Sequence, residues 1–203
     1  MPRFATEVRL KLDSVWPACI GALAVLYANI GGGAWARRSA IAWMMGSWGA
    51  RLTVQALYAR QRDVPVLTSS FTFLTSAAFF SLPALIASRN PDPSLSHIEI
   101  TACALWVIAF AGETTADRQL LRFTSKPGNA GLTCRSGLWR YSSHAHAIFE
   151  TLIWIAFALF ASASPWGWIA FACPVATAWM IIRRVEGLLC YSPMAFVTTG
   201  HDG

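Results

Sequence analysis

Charge is scarce in this chain. Only 13% of its residues are Asp, Glu, Lys or Arg, while 55% are hydrophobic and the mean hydropathy is +0.46. A soluble domain typically carries about 25% charged residues. Cysteines are few and unpaired in pattern. Positions 19, 103, 134, 173 and 190 contain no C-x-x-C spacing, so they read as reduced, scattered small apolar residues, and a zinc site is not expected. Strand-like alternation of apolar and polar residues is also missing. A membrane barrel requires it, so apolar segments here must be helices. No shift of composition marks a separate soluble domain, and no internal repeat is visible, so residues 1–203 read as one integral membrane domain. Gly31-Gly32-Gly33 lacks the preceding strand and the following Lys-Ser/Thr of a phosphate loop, and reads as a linker.

What is present is long apolar sequence. Six segments stand out, at residues 15–30, 40–58, 64–87, 98–116, 147–163 and 166–182. A spanning helix takes about 17–25 predominantly apolar residues. The first segment is short, the third carries Pro83 near its end and the fourth includes Glu113. The expected fold is all-α, a polytopic bundle of about six transmembrane helices with a polar cytoplasmic pocket. Arg3, Arg9 and Lys11 before an apolar run, with Ala34-Trp35-Ala36 beyond it, imitate a signal peptide. The run is long for such a segment, so an uncleaved first span is expected.

Topology follows from Lys and Arg. Grouping the loops of six spans by side puts 12 of these residues on one face and three (Arg37, Arg38 and Arg89) on the other, with Arg51 inside a span. The positive-inside rule then makes both termini cytoplasmic, in what is expected to be a bacterial inner membrane. The net charge of +6 is absorbed by this asymmetry, and no nucleic-acid partner is implied. The expected partners are the lipid bilayer and a lipid-like small molecule. Arg51 is expected to pair with a carboxylate such as Glu113 or Glu150, and Arg37 to be the less consequential arginine.

Polar residues concentrate between positions 113 and 150. Glu113 and Asp117 are four apart and share a helix face, and Arg122 follows. Lys126-Pro127-Gly128-Asn129 breaks the helix, and Gly131 and Gly137 permit tight turns. Trp139-Arg140-Tyr141 leads to the fifth segment, where Glu150 and Trp154 share a face. Such a set offers cations for phosphates, carboxylates for ribose hydroxyls and aromatic rings for stacking. On residues alone, mutual pairing and helix capping are an equal reading.

The spaced pattern Asp117-x-Gln119-x-x-Arg122-Phe123, Asn129-x-Gly131, Gly137-Leu138-Trp139-Arg140-Tyr141-Ser142 and Glu150 resembles the steroid 5-alpha-reductase C-terminal superfamily. The closest branch is its bacterial members of unassigned substrate. The resemblance covers residues 105–187, and is weaker upstream through Trp48-Gly49-Ala50-Arg51-Leu52. It implies a helical membrane enzyme that uses NADPH to reduce a carbon–carbon double bond conjugated to a carbonyl in a steroid- or lipid-like substrate. By position, Asp117, Arg122, Asn129, Arg140, Tyr141, His144, His146 and Arg184 would bind the cofactor, and Glu113, Glu150 and Trp154 would line the pocket. No catalytic residue is assigned.

The chain departs from the family pattern after Ser142. The usual continuation is Arg-His-Pro-Asn-Tyr-Phe-Gly-Glu, and here residues 143–150 read Ser-His-Ala-His-Ala-Ile-Phe-Glu. His146 stands where an amide is expected, and Phe149 replaces a glycine and is expected to fill part of the pocket. The acidic, Arg- and Tyr-bearing segment expected beyond Gly187 is absent, as is the acidic-aromatic motif near Arg60. These losses keep a second reading open, a non-catalytic membrane protein retaining the fold. A third is an S-adenosylmethionine-dependent methyltransferase, from a related branch. His144 and His146 are two apart and so do not share a helix face. Interfacial hydrogen bonding is their expected role, and no metal is expected.

Overall fold

The computed structural model describes residues 2–58, 70–129 and 132–190, with the side chains of 15–56, 72–129 and 132–183. Every regular element among them is helical. They are α1 (Pro2–Ile30), α2 (Trp35–Tyr58), α3 (Ser70–Phe80), α4 (Leu82–Ala87), α5 (His97–Thr124), α6 (Ala145–Ser162) and α7 (Ala172–Cys190), with short 3-10 turns before α6 and α7. Of these, α5 and α6 are long and apolar enough to cross a membrane, and the apolar parts of α1 and α7 are shorter.

The apolar segments become helices with shifted ends. The third divides at Ser81, because Pro83 has no N–H to continue the ladder and sits in the first turn of α4, where none is needed. Residues 64–69 of that segment lie outside the described residues. The fourth extends past residue 116 to Thr124, since Arg118–Arg122 are good helix formers. The sixth begins later than expected. Trp166 adopts φ 63°, a left-handed conformation that stops the chain from turning directly into a helix, and Gly167–Phe171 form a 3-10 turn before α7.

α1 and α2 pack as a hairpin by backbone approach. A Cβ on Gly21 would lie 3.4 Å from the Gly46 Cα, and one on Gly49 would collide with the Pro17 carbonyl. Small residues at a crossing allow this proximity. The core beside it is aromatic. Trp48 meets Trp154 edge-on with centroids 5.2 Å apart, Phe80 lies 4.7 Å from Trp154, and Phe157 closes the group. Edge-to-face pairs of this kind add about 0.5–1.5 kcal/mol beyond the area they bury. Large apolar side chains also face outward, among them Trp43, Val107, Ile108, Val175 and Trp179, each more than half exposed.

Three loops are stitched together at one end. Gly33 N–H donates to the Ser88 carbonyl (2.9 Å), and Ala34 N–H to the Asn90 carbonyl (2.9 Å). Asn90 Nδ2 donates to the Ala163 carbonyl (3.1 Å). Arg38 Nη1 caps the end of α1 through the Ala28 and Gly31 carbonyls at 2.9 and 2.6 Å. In the same loop, the backbone N–H and hydroxyl of Ser94 hold the Asp92 carboxyl below its usual pKa. The long α5–α6 connection, with Lys126, Arg135 and Arg140 exposed along it, lies at the other end of α5, next to the exposed Arg122 of its last turn.

α2 and α5 run parallel and are held by two buried ion pairs. Arg37 is 2% exposed. Its Nε and Nη2 fork both oxygens of Glu99, and its remaining N–H groups donate to the Asp92 (2.5 Å) and Ser94 (2.7 Å) carbonyls. Glu99 also closes a capping box with Ser96. Further along, Arg51 pairs with Glu113 and Asp117. Arg37 is therefore not the lesser arginine that its place in a short loop suggested. Removing one partner of a buried pair costs about 3–5 kcal/mol. Arg37→Leu is expected to lower the melting temperature in detergent at least as much as Arg51→Leu, and Arg89→Leu, at an exposed position, to leave it unchanged. Unchanged melting of Arg37→Leu would show that the pair does not hold the two helices together.

Candidate functional site

Three elements meet beneath the cationic end. Glu113 and Asp117 project from one face of α5, as their spacing of four predicts, Arg51 reaches them from α2, and His146 and Glu150 come from the first turns of α6. Arg51 Nη1 donates to Asp117 Oδ2 (2.7 Å), and Nη2 pairs with Glu113 Oε2. The other oxygens face the imidazole. His146 Nδ1 is 2.9 Å from Asp117 Oδ1 and 3.7 Å from Glu113 Oε1, while its Nε2 is 3.6 Å from Glu150 Oε2. Glu113 is fully buried, and neither of its oxygens has a hydrogen bond with good geometry among the described residues. Arg51 therefore chooses Glu113 and Asp117, and Glu150 is left to His146.

The α5–α6 connection folds back onto α5. Gln119 Oε1 accepts from the Leu138 N–H (2.8 Å), and Trp139 Nε1 donates to the Ala116 carbonyl (2.9 Å). Gly137 has φ 61°, and any Cβ there would meet the Gln119 amide, so the turn needs glycine on both counts. Gln119 and Trp139 are the positioning residues that the list of candidates lacked, although both stand inside the spaced pattern.

The remaining candidates separate. Arg122, Arg140 and Tyr141 are exposed at the rim, Tyr141 by 87%. Asn129 turns inward and donates from Nδ2 to the Phe123 carbonyl (2.8 Å), so its amide caps the end of α5. His144 is exposed, with Nδ1 3.0 Å from Ser143 Oγ, and does not join His146. Trp154 is not at the polar cluster. It is 1% exposed in the aromatic core, one turn deeper than Glu150. Phe149 places its ring where a Cβ on Gly112 would be, so it fills the α5–α6 contact, where the sequence led to an expectation that it fills part of the pocket. The side chain of Arg184 and residue Gly131 lie outside the described residues. Sequence reasoning missed the Arg37–Glu99 pair, because the Ser96-x-x-Glu99 capping spacing marks the start of α5 and not its partner.

Two apolar hollows flank the bundle. The larger, about 490 Å³, lies between α1 and α2 against Val25, Trp35, Trp43 and Gly46, and touches none of the charged residues. The smaller, about 330 Å³, lies between α6 and α7 and opens beside His144. The second is the one relevant to the polar end, because His144 and Ala147 carry it to the rim.

The fold-back gives a direct expectation. A net hydrogen bond is worth about 0.5–1.5 kcal/mol. Gln119→Ala should speed hydrogen exchange at the Leu138 amide by about two- to tenfold, with exchange in the middle of α6 unchanged. Unaltered exchange at Leu138 would mean that Gln119 does not hold the turn.

No curated protein and no solved structure matches the chain. A family model described as "Protein of unknown function (DUF1295)" matches residues 4–189, nearly its whole length, and the chain belongs to that family.

Proposed function

We propose that this protein is a six-span integral membrane protein with both termini cytoplasmic, in a bacterial inner membrane, and a diverged NADPH-dependent reductase of a conjugated enone in a steroid- or lipid-like molecule. The superfamily resemblance is part of this proposal. The observation that carries it is the fold-back of the α5–α6 connection, which joins the two halves of the spaced pattern, Asp117–Arg122 and Gly137–Tyr141, at one end of the bundle. The membrane part draws support from the outward-facing apolar side chains of α2, α5 and α7 and from the clustering of the three cation-poor loops at one end.

The residues present fit part of the cofactor. Arg122, Arg140 and Tyr141 stand exposed at one rim and would take its phosphates and sugars. Asp117 and Asn129 are already engaged, to Arg51 and His146 and to the Phe123 carbonyl respectively. When bound, NADPH supplies a hydride to the alkene carbon β to the carbonyl. The apolar hollow between α6 and α7 suits the hydrocarbon part of such a substrate, with its polar end directed to the rim by His144. The Phe149 ring packed on Gly112 favours the second reading, a non-catalytic membrane protein of the same fold, because it removes a close approach between α5 and α6. The methyltransferase reading has no separate support.

Reporter fusions after Gly137 and after residue 203 are expected to report cytoplasm, and one after Asn90 the opposite side. A non-cytoplasmic signal at Gly137 would remove both the topology and access to a soluble nucleotide. Titration of the purified protein with NADPH is the test of activity class. Hydrogen bonds to charged groups are worth about 1.5–3 kcal/mol, so Arg140→Ala should weaken NADPH binding by about ten- to a hundredfold, and Arg89→Ala should not alter it. Wild-type affinity should be low, and the double change His146→Asn with Phe149→Gly should raise it. Absence of NADPH binding by both proteins would defeat the reductase reading and leave the non-catalytic one.

A further inference from the structure

We infer that Glu113, Asp117 and His146 form a binding site for one divalent first-row metal ion, with Zn²⁺ as its natural probe. The inference requires no nucleotide and stands apart from the reductase reading. One donor atom from each of the three residues lies within 4.8 Å of the other two. His146 Nδ1 is 2.9 Å from Asp117 Oδ1 and 3.7 Å from Glu113 Oε1. Ligands at about 2.0–2.1 Å around a tetrahedral ion are separated by about 3.3 Å. The two separations from His146 Nδ1 bracket that value, and closing the set would take side-chain rotations.

Arg51 preorganises the donors. It binds Oδ2 of Asp117 and Oε2 of Glu113, which leaves one oxygen of each carboxylate turned toward the imidazole. Outer partners that fix the orientation of ligating carboxylates are a regular part of metal sites. On the far side of the ring, Nε2 faces Glu150 Oε2 at 3.6 Å, and a metal ion at Nδ1 would displace the proton that Nδ1 shares with Asp117 Oδ1 at 2.9 Å.

Two further observations ask for a cation. Glu113 has no exposed surface, and its Oε1 accepts no hydrogen bond among the described residues. A buried carboxylate oxygen left this way is costly unless something positive meets it. Arg51 faces Glu113 and Asp117, and Glu150 adds a third carboxylate, so a divalent ion bound to a neutral imidazole would bring the cluster to zero net charge. The donors are oxygen and imidazole nitrogen without thiolate, which suits Zn²⁺, Mn²⁺, Fe²⁺ or Co²⁺. Three protein ligands, with His146 partly exposed, leave a coordination position open toward the rim.

The test uses the full-length protein in detergent, stripped with chelator and free of nucleotide. Calorimetric titration with Zn²⁺ should give one site per chain. Co²⁺ should give the visible absorption of a low-symmetry nitrogen–oxygen site. His146→Ala, Glu113→Gln and Asp117→Asn should each weaken Zn²⁺ binding by at least about tenfold. His97→Ala, at the opposite end of α5, and His144→Ala should keep it. Where Glu113→Gln fails to fold, Asp117→Asn and the wild-type Co²⁺ spectrum carry the test. Absence of Zn²⁺, Mn²⁺ and Co²⁺ binding by folded wild type would overturn the proposal and leave protons as the balancing charge. Loss of binding in His144→Ala with retention in Asp117→Asn would equally overturn it, placing the ion on the surface turn.

Discussion

Two arginine–glutamate clasps set the register between α2 and α5. Arg37 grips Glu99, and Arg51 grips Glu113. Each arginine and each glutamate is fourteen residues from its counterpart, which is about 21 Å along a helix. The two helices are therefore pinned at both ends of one common length. Apolar packing alone tolerates sliding, because lipid-like side chains are interchangeable partners. A buried guanidinium does not, because one residue of slip would leave charges unpaired in an apolar surrounding. The aromatic cluster packs Trp48, from the stretch of α2 between the clasps, against Trp154 and Phe157 of α6.

The lower clasp does more than hold. Arg51 satisfies two carboxylates at once, and it uses one oxygen of each. That division turns a structural pair into a polar cluster whose remaining carboxylate oxygens face His146. The end of the bundle that carries this cluster also carries the exposed cations of the α5–α6 connection, while the opposite end is closed by loop-to-loop hydrogen bonds and the Asn90 amide. One end is thus built for rigidity and the other for presenting charge. The resemblance-derived nucleotide site and the inferred metal site both belong to the second end, and they share Asp117 and His146. At His146 the two differ: it stands where the superfamily pattern calls for an amide, and an imidazole offers a single directed lone pair that an amide cannot.

Much of the helical architecture was legible in composition and spacing. Apolar length without alternation implied helices, and the four-residue spacing of Glu113 and Asp117 implied their shared face, whereas the third segment read as one span and is divided at Ser81. Gly137 was legible as a tight turn, and its positive φ shows why. Other features were hidden by the physics that creates them. The hydropathy of α2 is diluted by residues that satisfy each other inside the fold, so Arg37 read as a loop charge when it is among the most buried side chains present. Trp154 shares a helix face with Glu150, yet a helix face crosses from polar to apolar surroundings within one turn, and spacing cannot place that boundary. Asn129 has the chemistry of a ligand contact, and the end of α5 takes it first, because unsatisfied carbonyls at a helix terminus are the nearer demand.

The matched clasps also bear on how such sequences can drift in length. An insertion between residues 37 and 51 lengthens one rung spacing and leaves the other unchanged, so it survives only beside an equal insertion between residues 99 and 113. Single substitutions can accumulate across both helices, whereas length changes must arrive in pairs. Two stretches that are far apart in the gene are in this way bound to a common ruler, and a comparison of related chains would find their lengths inherited together even where their residues are not.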